Sequence, residues 1–549
     1  MHMLYQRALA PLLLAAALAG CVVSAAPGAA PEAAAPIPTA RRLPSPTRAA
    51  AAAPTAAIAP PTTPAPTLPP SSAPPTIPAA DPFLAAQAAA LVPERAGDLA
   101  RAAAWDRYTV AVALNPDELT ATGSVRVELV NRSGAPLAQL WFHLYPNHPD
   151  FGGRLDVTGA RVDGAPVGSA TASRDTLLRL DLPAPVAPGA RAVAELSFTT
   201  RTPRGASART FGAHNFESGV WSMANVYPIL ARTLPGQGWD TRPVDSRGDF
   251  VVSSTALYDV SVDAPAGWPL VSTGVSLGAE PAGEGRRRER FVSGPQREFY
   301  LAALQPGAID QASSVVDGTR VVSYYQPGNA AAGRRALAVA EQSLRAFNAR
   351  YGRYPLAELE VVQAALTQFL GMEYPGAVLI EQQLYRSNGR GLETTVAHEI
   401  AHQWWYSLVG NDPQADPWLD EGLASYSQVI YYEQLGQPDA AAAELAAFRD
   451  MYRRAREAGR DAPLASAPGA LRGNYVPIIY AKGALFFHAL RAQIGEPAFG
   501  RFLTSYVEAG IYRDVSGADL LAAAEAACAC QLDGFYRDWV LSAAPVAIP

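Results

Sequence analysis

At 549 residues the chain is long enough for more than one domain, and with 49% apolar residues it can bury sizeable cores. A formal net charge of −6 and a pI near 5.8 exclude a general attraction to nucleic acid or to anionic lipid.

Residues 1–20 read as a targeting segment: one arginine, Arg7, then an apolar run from Ala8 to Gly20, too short to span a bilayer comfortably. The run ends in Leu18-Ala19-Gly20-Cys21, which resembles a bacterial lipobox. That resemblance implies lipidation of Cys21, an extracytoplasmic location and a membrane anchor. The alternative is an ordinary cleaved signal with a chance cysteine. Residues 21–80 are rich in Ala, Pro, Thr and Ser, with little apolar bulk to bury, and predict a disordered tether. At roughly 3 Å per residue in polyproline II it would reach on the order of 150 Å, and about half that if coiled.

The next region, 81–310, is predicted to be all-β. From about Trp105 short runs such as RYTVAVALNP, SVRVELVNRSG and AVAELSFTTRT alternate apolar and polar residues between Gly, Pro and Asn breaks. The pattern predicts a sandwich or an open saddle of sheets. His143, His148 and His214 fall inside it without a third ligand nearby, and read as packed or surface histidines.

Region 311–549 is predicted to be mainly α with a small sheet at its start. AAAGRRALAVAEQSLRAFNARYG has helical spacing and ends in glycine, strand-like ELEVVQAAL follows, and helical patterns continue to the C-terminus. The fold class is therefore a multidomain α+β protein. Cys528 and Cys530 form a C-x-C pair of structural character, as a small disulfide or two buried thiols.

The chemistry lies in TTVAHEIAHQWWYSLVG, read as a helix ending at Gly410. It holds two of only seven histidines, four residues apart. On a helix His398 and His402 share a face one turn apart, as two ligands of a tetrahedral zinc ion must. Glu399 falls beside the metal, where it can accept a proton. Asp416-Pro417 starts a second helix, and the turn before it lets Glu421 face the histidines as third ligand. Asp416 and Asp420 either support a zinc ligand by hydrogen bond or, for Asp416, cap the helix. Trp404 and Trp405 read as core packing, and His488 as a helix-face residue.

HEIAH followed by eighteen residues and a glutamate resembles the gluzincin metallopeptidases, specifically the aminopeptidase N family (peptidase family M1). Gly371-Met372-Glu373-Tyr374-Pro375-Gly376 looks like a variant of that family's G-x-M-E-N motif, and Tyr480 resembles its tyrosine about sixty residues beyond the zinc glutamate. The resemblance covers about residues 105–549. It implies a β saddle followed by a thermolysin-like catalytic domain, one zinc per chain, and removal of N-terminal residues from peptides. It assigns the substrate amine to Glu373, substrate contacts to Gly371 and Met372, general-base work to Glu399 and oxyanion stabilisation to Tyr480.

The sequence departs from the family where the motif reads G-M-E-Y-P, where the zinc glutamate stands in D-E-G, and where the chain stops about seventy residues after Tyr480. Many relatives continue into a large helical domain, so the resemblance implies a more open cleft. The residue that relatives contribute from the β domain to the substrate amine has no counterpart recognisable in the sequence. Two further readings stay open: a zinc endopeptidase on the same scaffold, and an inactive surface binding protein. Oligomeric state is not readable from the sequence.

Overall fold

The structure is a computed structural model that describes residues 81–549 apart from 207–213, 235, 388 and 549. The expected signal segment, Cys21 and the tether lie outside the described residues.

The alternation seen in the sequence is realised as strands. In Asp106–Asn115, Tyr108, Val110, Val112 and Leu114 are buried while Thr109, Ala111 and Ala113 face out. This strand lies inside an eight-stranded sheet. The spatial order is Val275–Pro281, Arg286–Gln296, Ala256–Pro265, Asp106–Asn115, Thr120–Val130, Arg191–Arg201, Arg154–Val162, Ala165–Pro166. Its one parallel pair joins Asp106–Asn115 to Ala256–Pro265. Two four-stranded sheets and a two-stranded one, Thr233–Leu234 with Gly238–Trp239, complete the β-rich part among the described residues.

The expectation of an all-β region from residue 81 needs correction. Residues 82–104 are helical: helix α1 (Pro82–Gln87), then short 3₁₀ turns at Ala88–Ala90 and Pro93–Ala104. Asp81 starts α1 by accepting from the backbone N–H of Phe83 and Leu84, with Pro82 in the first turn. The segment then bonds to the chain just before strand Glu358–Ala364, through Val92 N–H to Pro355 O (2.8 Å) and Ala357 N–H to Ala90 O (2.9 Å).

A five-stranded sheet opens the helical part, in the order Asp310–Val316, Thr319–Tyr325, Glu358–Ala364, Ala377–Glu381, Gly371–Met372. The last strand is antiparallel to its neighbour and carries Gly371 and Met372, the start of the Gly371–Gly376 motif, to the sheet edge. Helices α2 (Ala330–Tyr351), α3 (Gly391–Ala401), α4 (Trp418–Gln434), α5 (Pro438–Glu457), α6 (Gly483–Ile494), α7 (Glu496–Gly510) and α8 (Gly517–Cys528) follow. α2 closes at Gly352, whose φ of 110° suits glycine. α3 packs between α2 and α4, and α4 packs on α6.

Helix α3 does not run to Gly410. It ends at Ala401, with His402 as its last, half-helical residue. Trp404 N–H bonds back three residues to Ala401, and Tyr406 adopts φ 122°, a strained value for a side-chain-bearing residue. Packing explains the break. Trp404 lies against Phe347, Tyr351 and Tyr354, Trp405 against Tyr351 and Tyr506, and the Tyr406 hydroxyl donates to Glu298 of the β-rich part. The two tryptophans are core residues, as read.

Candidate active site

His398, His402 and Glu421 converge. The two imidazole Nε2 atoms are 3.1 Å apart, and Glu421 Oε2 lies 3.2 Å from one and 3.3 Å from the other. The histidines meet because His402, though at the helix end, still closes one helical turn onto the His398 carbonyl. Glu421 sits in the first turn of α4, where the helix dipole favours an anion.

Three donors at these separations fit one zinc ion. Bonds of about 2.0–2.1 Å at tetrahedral angles space ligand atoms by about 3.3–3.4 Å. The outer nitrogens agree. His402 Nδ1 is 2.9 Å from the Trp405 carbonyl, so it carries the proton and leaves the Nε2 lone pair facing inward. His398 Nδ1 is 3.0 Å from the side-chain amide of Gln428, whose Oε1 otherwise lacks a partner. Gln428 Nε2 and the Ala424 backbone both bond to this ring and hold its orientation. Burial pushes the Glu421 carboxyl up, but hydrogen bonds and charge from the two histidines more than offset it and hold it at about 2. Glu421 therefore stays an anionic donor.

Glu399 lies next to this triad, and its carboxylate touches the sheet-edge strand at Gly371. A Cβ on Gly371 would come within 2.0 Å of Glu399 Oε1. Gly371 thus makes room for the Glu399 side chain, a role the sequence did not reveal. Met372 is buried and lines a small cavity beside Glu373. Glu373, Glu399 and His402 bring one ligand atom each within 4.8 Å of one another. The motif is tied to the histidine helix by Gln403, which accepts from Gly376 N–H (2.8 Å) and donates to the Tyr374 carbonyl (3.3 Å). Tyr374 stacks on Tyr300 of the β-rich part at 4.7 Å.

Burial above all holds Glu399 well above the usual carboxylate range; the His402 charge opposes this, and Glu421 and Asp249 add to it. Glu373 is raised in the same direction by burial, then by Asp249 and its neighbouring acids.

Tyr480 is buried on a π-helical turn, Pro477–Lys482, that leads into α6. Its hydroxyl donates to Glu421 Oε1, and its ring stacks near His398. A backbone contact brings it there: a Cβ on Gly483 would come within 2.9 Å of the Gly422 Cα. The glycine of D-E-G is therefore where α4 and α6 touch.

Asp249 was missed by sequence reasoning. It belongs to the β-rich part, sits on irregular backbone and is buried beside Glu373. No protein donor reaches either of its oxygens while Glu373 is ionised; a protonated Glu373 would share a hydrogen bond with it. Burial and the Glu421 charge push its carboxyl up to about 6. Asp249, Glu373, Met372, Tyr374, Tyr406 and Glu298 line the cavity of about 10 Å³, room for about one water. No motif marks Asp249; only the fold brings it to the site.

The remaining candidates lie elsewhere. His143 stacks on Tyr145, His214 fits against Gly153, and His148 accepts from Asp150 N–H. His488 is half-buried near Tyr426. Among the described residues, the two groups that bring three metal-donor side chains together are both at this site. Asp416 neither caps α4 with its side chain nor touches a ligand; it accepts from the Trp418 indole. Asp420 accepts from the Glu421 backbone N–H (2.8 Å). Cys528 and Cys530 form a disulfide. No described helix is long and apolar enough to cross a membrane.

Comparison with known proteins agrees with this geometry. Residues 335–539 match the Peptidase family M1 domain. The chain is 26% identical over 340 residues to Aminopeptidase M1-A of Oryza sativa subsp. japonica, covering 57% of this chain and 37% of the relative. It is 31% identical over 182 residues to Aminopeptidase N of Acetobacter pasteurianus, covering 31% and 51%. The chain thus spans only part of the length of the curated relatives it matches. The fold resembles the crystal structure of an M1 zinc metallopeptidase from Deinococcus radiodurans, with TM-score 0.60 at 22% identity, over 81% of this chain and 95% of that one. A mutant of that enzyme bound to a Tyr-ser-ala substrate superposes equally well. Metal triad, flanking acid and two-part fold agree with the match of residues 335–539 to the Peptidase family M1 domain.

Proposed function

We propose that the chain is a zinc-dependent aminopeptidase that removes N-terminal residues from peptides. The observation that carries this reading is the pair Glu373 and Asp249 beside the His398, His402 and Glu421 triad. Two buried carboxyls meet there, and no described lysine or arginine forms an ion pair with either. Burying such a pair is costly unless a cation joins it. A peptide's free α-ammonium, seated between them, would supply that charge and set the first peptide bond at the metal.

When bound, zinc supplies a Lewis acid that polarises the scissile carbonyl and lowers the pKa of the attacking water. Glu399 takes the proton from that water and delivers it to the leaving amine, as suits a carboxyl held above its usual range. The Tyr480 hydroxyl, on Glu421 in the structure, turns to donate to the substrate oxygen as negative charge develops there. Gly371 and Met372 form the strand against which the substrate backbone lies.

Glu399→Gln tests the chemistry and Glu373→Gln the amine subsite. The expected results are a loss of about 10²–10⁴-fold in kcat for Glu399→Gln and a raised KM for Glu373→Gln, each with zinc still bound. Activity of Glu399→Gln within tenfold of the wild type would contradict the mechanism.

The location is part of the proposal. The lipobox-like Leu18–Cys21 supports a lipid-anchored, extracytoplasmic protein, and the Cys528–Cys530 disulfide is in accord with an oxidising compartment. Cys21→Ala should abolish incorporation of labelled fatty acid; incorporation that persists would remove the anchor from this account.

A further inference from the structure

Residues 241–255, which carry Asp249, have neither helix nor strand. Something other than a sheet ladder must hold the acid in place. The loop between α3 and α4 does so. Gln414 Oε1 accepts from Asp245 N–H (2.8 Å), and its Nε2 donates to the carbonyls of Asp245 (3.1 Å) and of Asp249 itself (2.9 Å). Two residues earlier, Asp412 pairs with Arg232 (2.5 Å) and Arg242 (2.7 Å) of the β-rich part. Gln414 stands seven residues before Glu421 on a short run of chain that enters α4 almost at once.

We propose that Gln414 is a positioning residue that locks Asp249 to the metal-ligand helix and so sets the spacing between the amine subsite and the scissile bond. The inference rests on the amine-binding reading of Asp249 and Glu373. It is specific because an aminopeptidase must hold that spacing to one residue, while its two halves come from separate parts of the fold. A side-chain amide is well matched to this role, since one group donates to two carbonyls and accepts from one N–H on the same irregular segment. Gln414 touches neither the metal donors nor Glu399, so its effect falls on substrate placement.

The test compares Gln414→Ala, the nearly isosteric Gln414→Glu, Asp249→Ala and Asp412→Asn in the full zinc-loaded chain. Gln414→Glu keeps an acceptor for Asp245 N–H but loses the donor to both carbonyls. Gln414 is half-buried, so both of its variants should fold. The readouts are kcat and KM for an unblocked aminoacyl anilide, the affinity for free leucine against N-acetyl-leucine, and zinc content. Asp249→Ala should raise KM and erase the preference for the free amine. Both Gln414 variants should raise KM about tenfold, with kcat within threefold and zinc unchanged, and should narrow the leucine preference by a similar factor. Asp412→Asn loosens the same loop without touching Asp249; it should leave KM within twofold. A KM within twofold of wild type for both Gln414 variants, alongside a raised KM for Asp249→Ala, would overturn the Gln414 role alone. An equal rise for Asp412→Asn would overturn it too, since general loop slack would suffice. An unchanged KM for Asp249→Ala would overturn the amine subsite and this inference together.

Discussion

Gly371→Ala probes the tightest contact in the site. The added methyl would stand 2.0 Å from Glu399 Oε1, 2.3 Å from Cδ and 2.5 Å from Cγ. Ordinary contact begins near 3.4 Å, so the carboxylate must retreat by more than 1 Å. The backbone itself does not resist alanine: Gly371 is not among the residues of positive φ and lies in a strand. The effect should therefore fall on the general base and not on folding. A misplacement of about 1 Å can cost about 10²-fold in rate. The expected result is a kcat lowered about 10²-fold, with zinc at one per chain and a melting temperature close to wild type. The assay is hydrolysis of an unblocked aminoacyl anilide, with metal content by mass spectrometry and unfolding by calorimetry. A kcat within threefold of wild type would show that Glu399 is not confined as described, and would remove it from the proton-transfer role.

Three other variants follow from the geometry. Gln428→Leu removes the side-chain hydrogen bond that orients the His398 ring and should weaken zinc retention about 10–100-fold in chelator competition. Gly483→Ala presses a methyl onto the Gly422 backbone; overpacking of this kind costs about 1–3 kcal/mol, and calorimetry should show a melting point lower by several degrees, with kcat reduced through Tyr480. Asp240 supplies a pH test. Burial raises its carboxyl, but hydrogen bonds and charge from Arg242 and Arg232 outweigh this and bring it down to about 2. A folded-state pKa below the unfolded value of about 3.9 contributes stability above that pH. That contribution, about 2 kcal/mol, is lost as pH falls from about 4 towards 2. The stability gap between wild type and Asp240→Asn in urea titrations should narrow across that window.

The metal triad was legible because it is local in sequence: two histidines one helical turn apart, and a glutamate in the first turn of the next helix. The strands and most helices were legible from period and breakers. The end of α3 was not. No glycine or proline follows His402 directly, and the helix stops because Trp404 and Trp405 both pack into the aromatic core around Tyr351 and Tyr406 reaches across to Glu298. Gln428 had a readable signal, seven residues after Glu421 and so on the same face of α4. Asp249 had none: it sits on irregular backbone in a different part of the chain and gains meaning only beside Glu373. The glycines at 371, 422 and 483 are similar, since what each makes room for comes from another element.

At the heart of the proposed mechanism is a buried acid pair that reads a free amine beside a zinc triad. A mass-spectrometric time course on one hexapeptide and its N-acetylated twin, with the zinc-loaded chain, tests that pairing without any variant. Stepwise loss of single residues from the free peptide, and none from the acetylated one, is the expected result. Cleavage of both at the same internal bonds would contradict it and make the enzyme an endopeptidase on this scaffold.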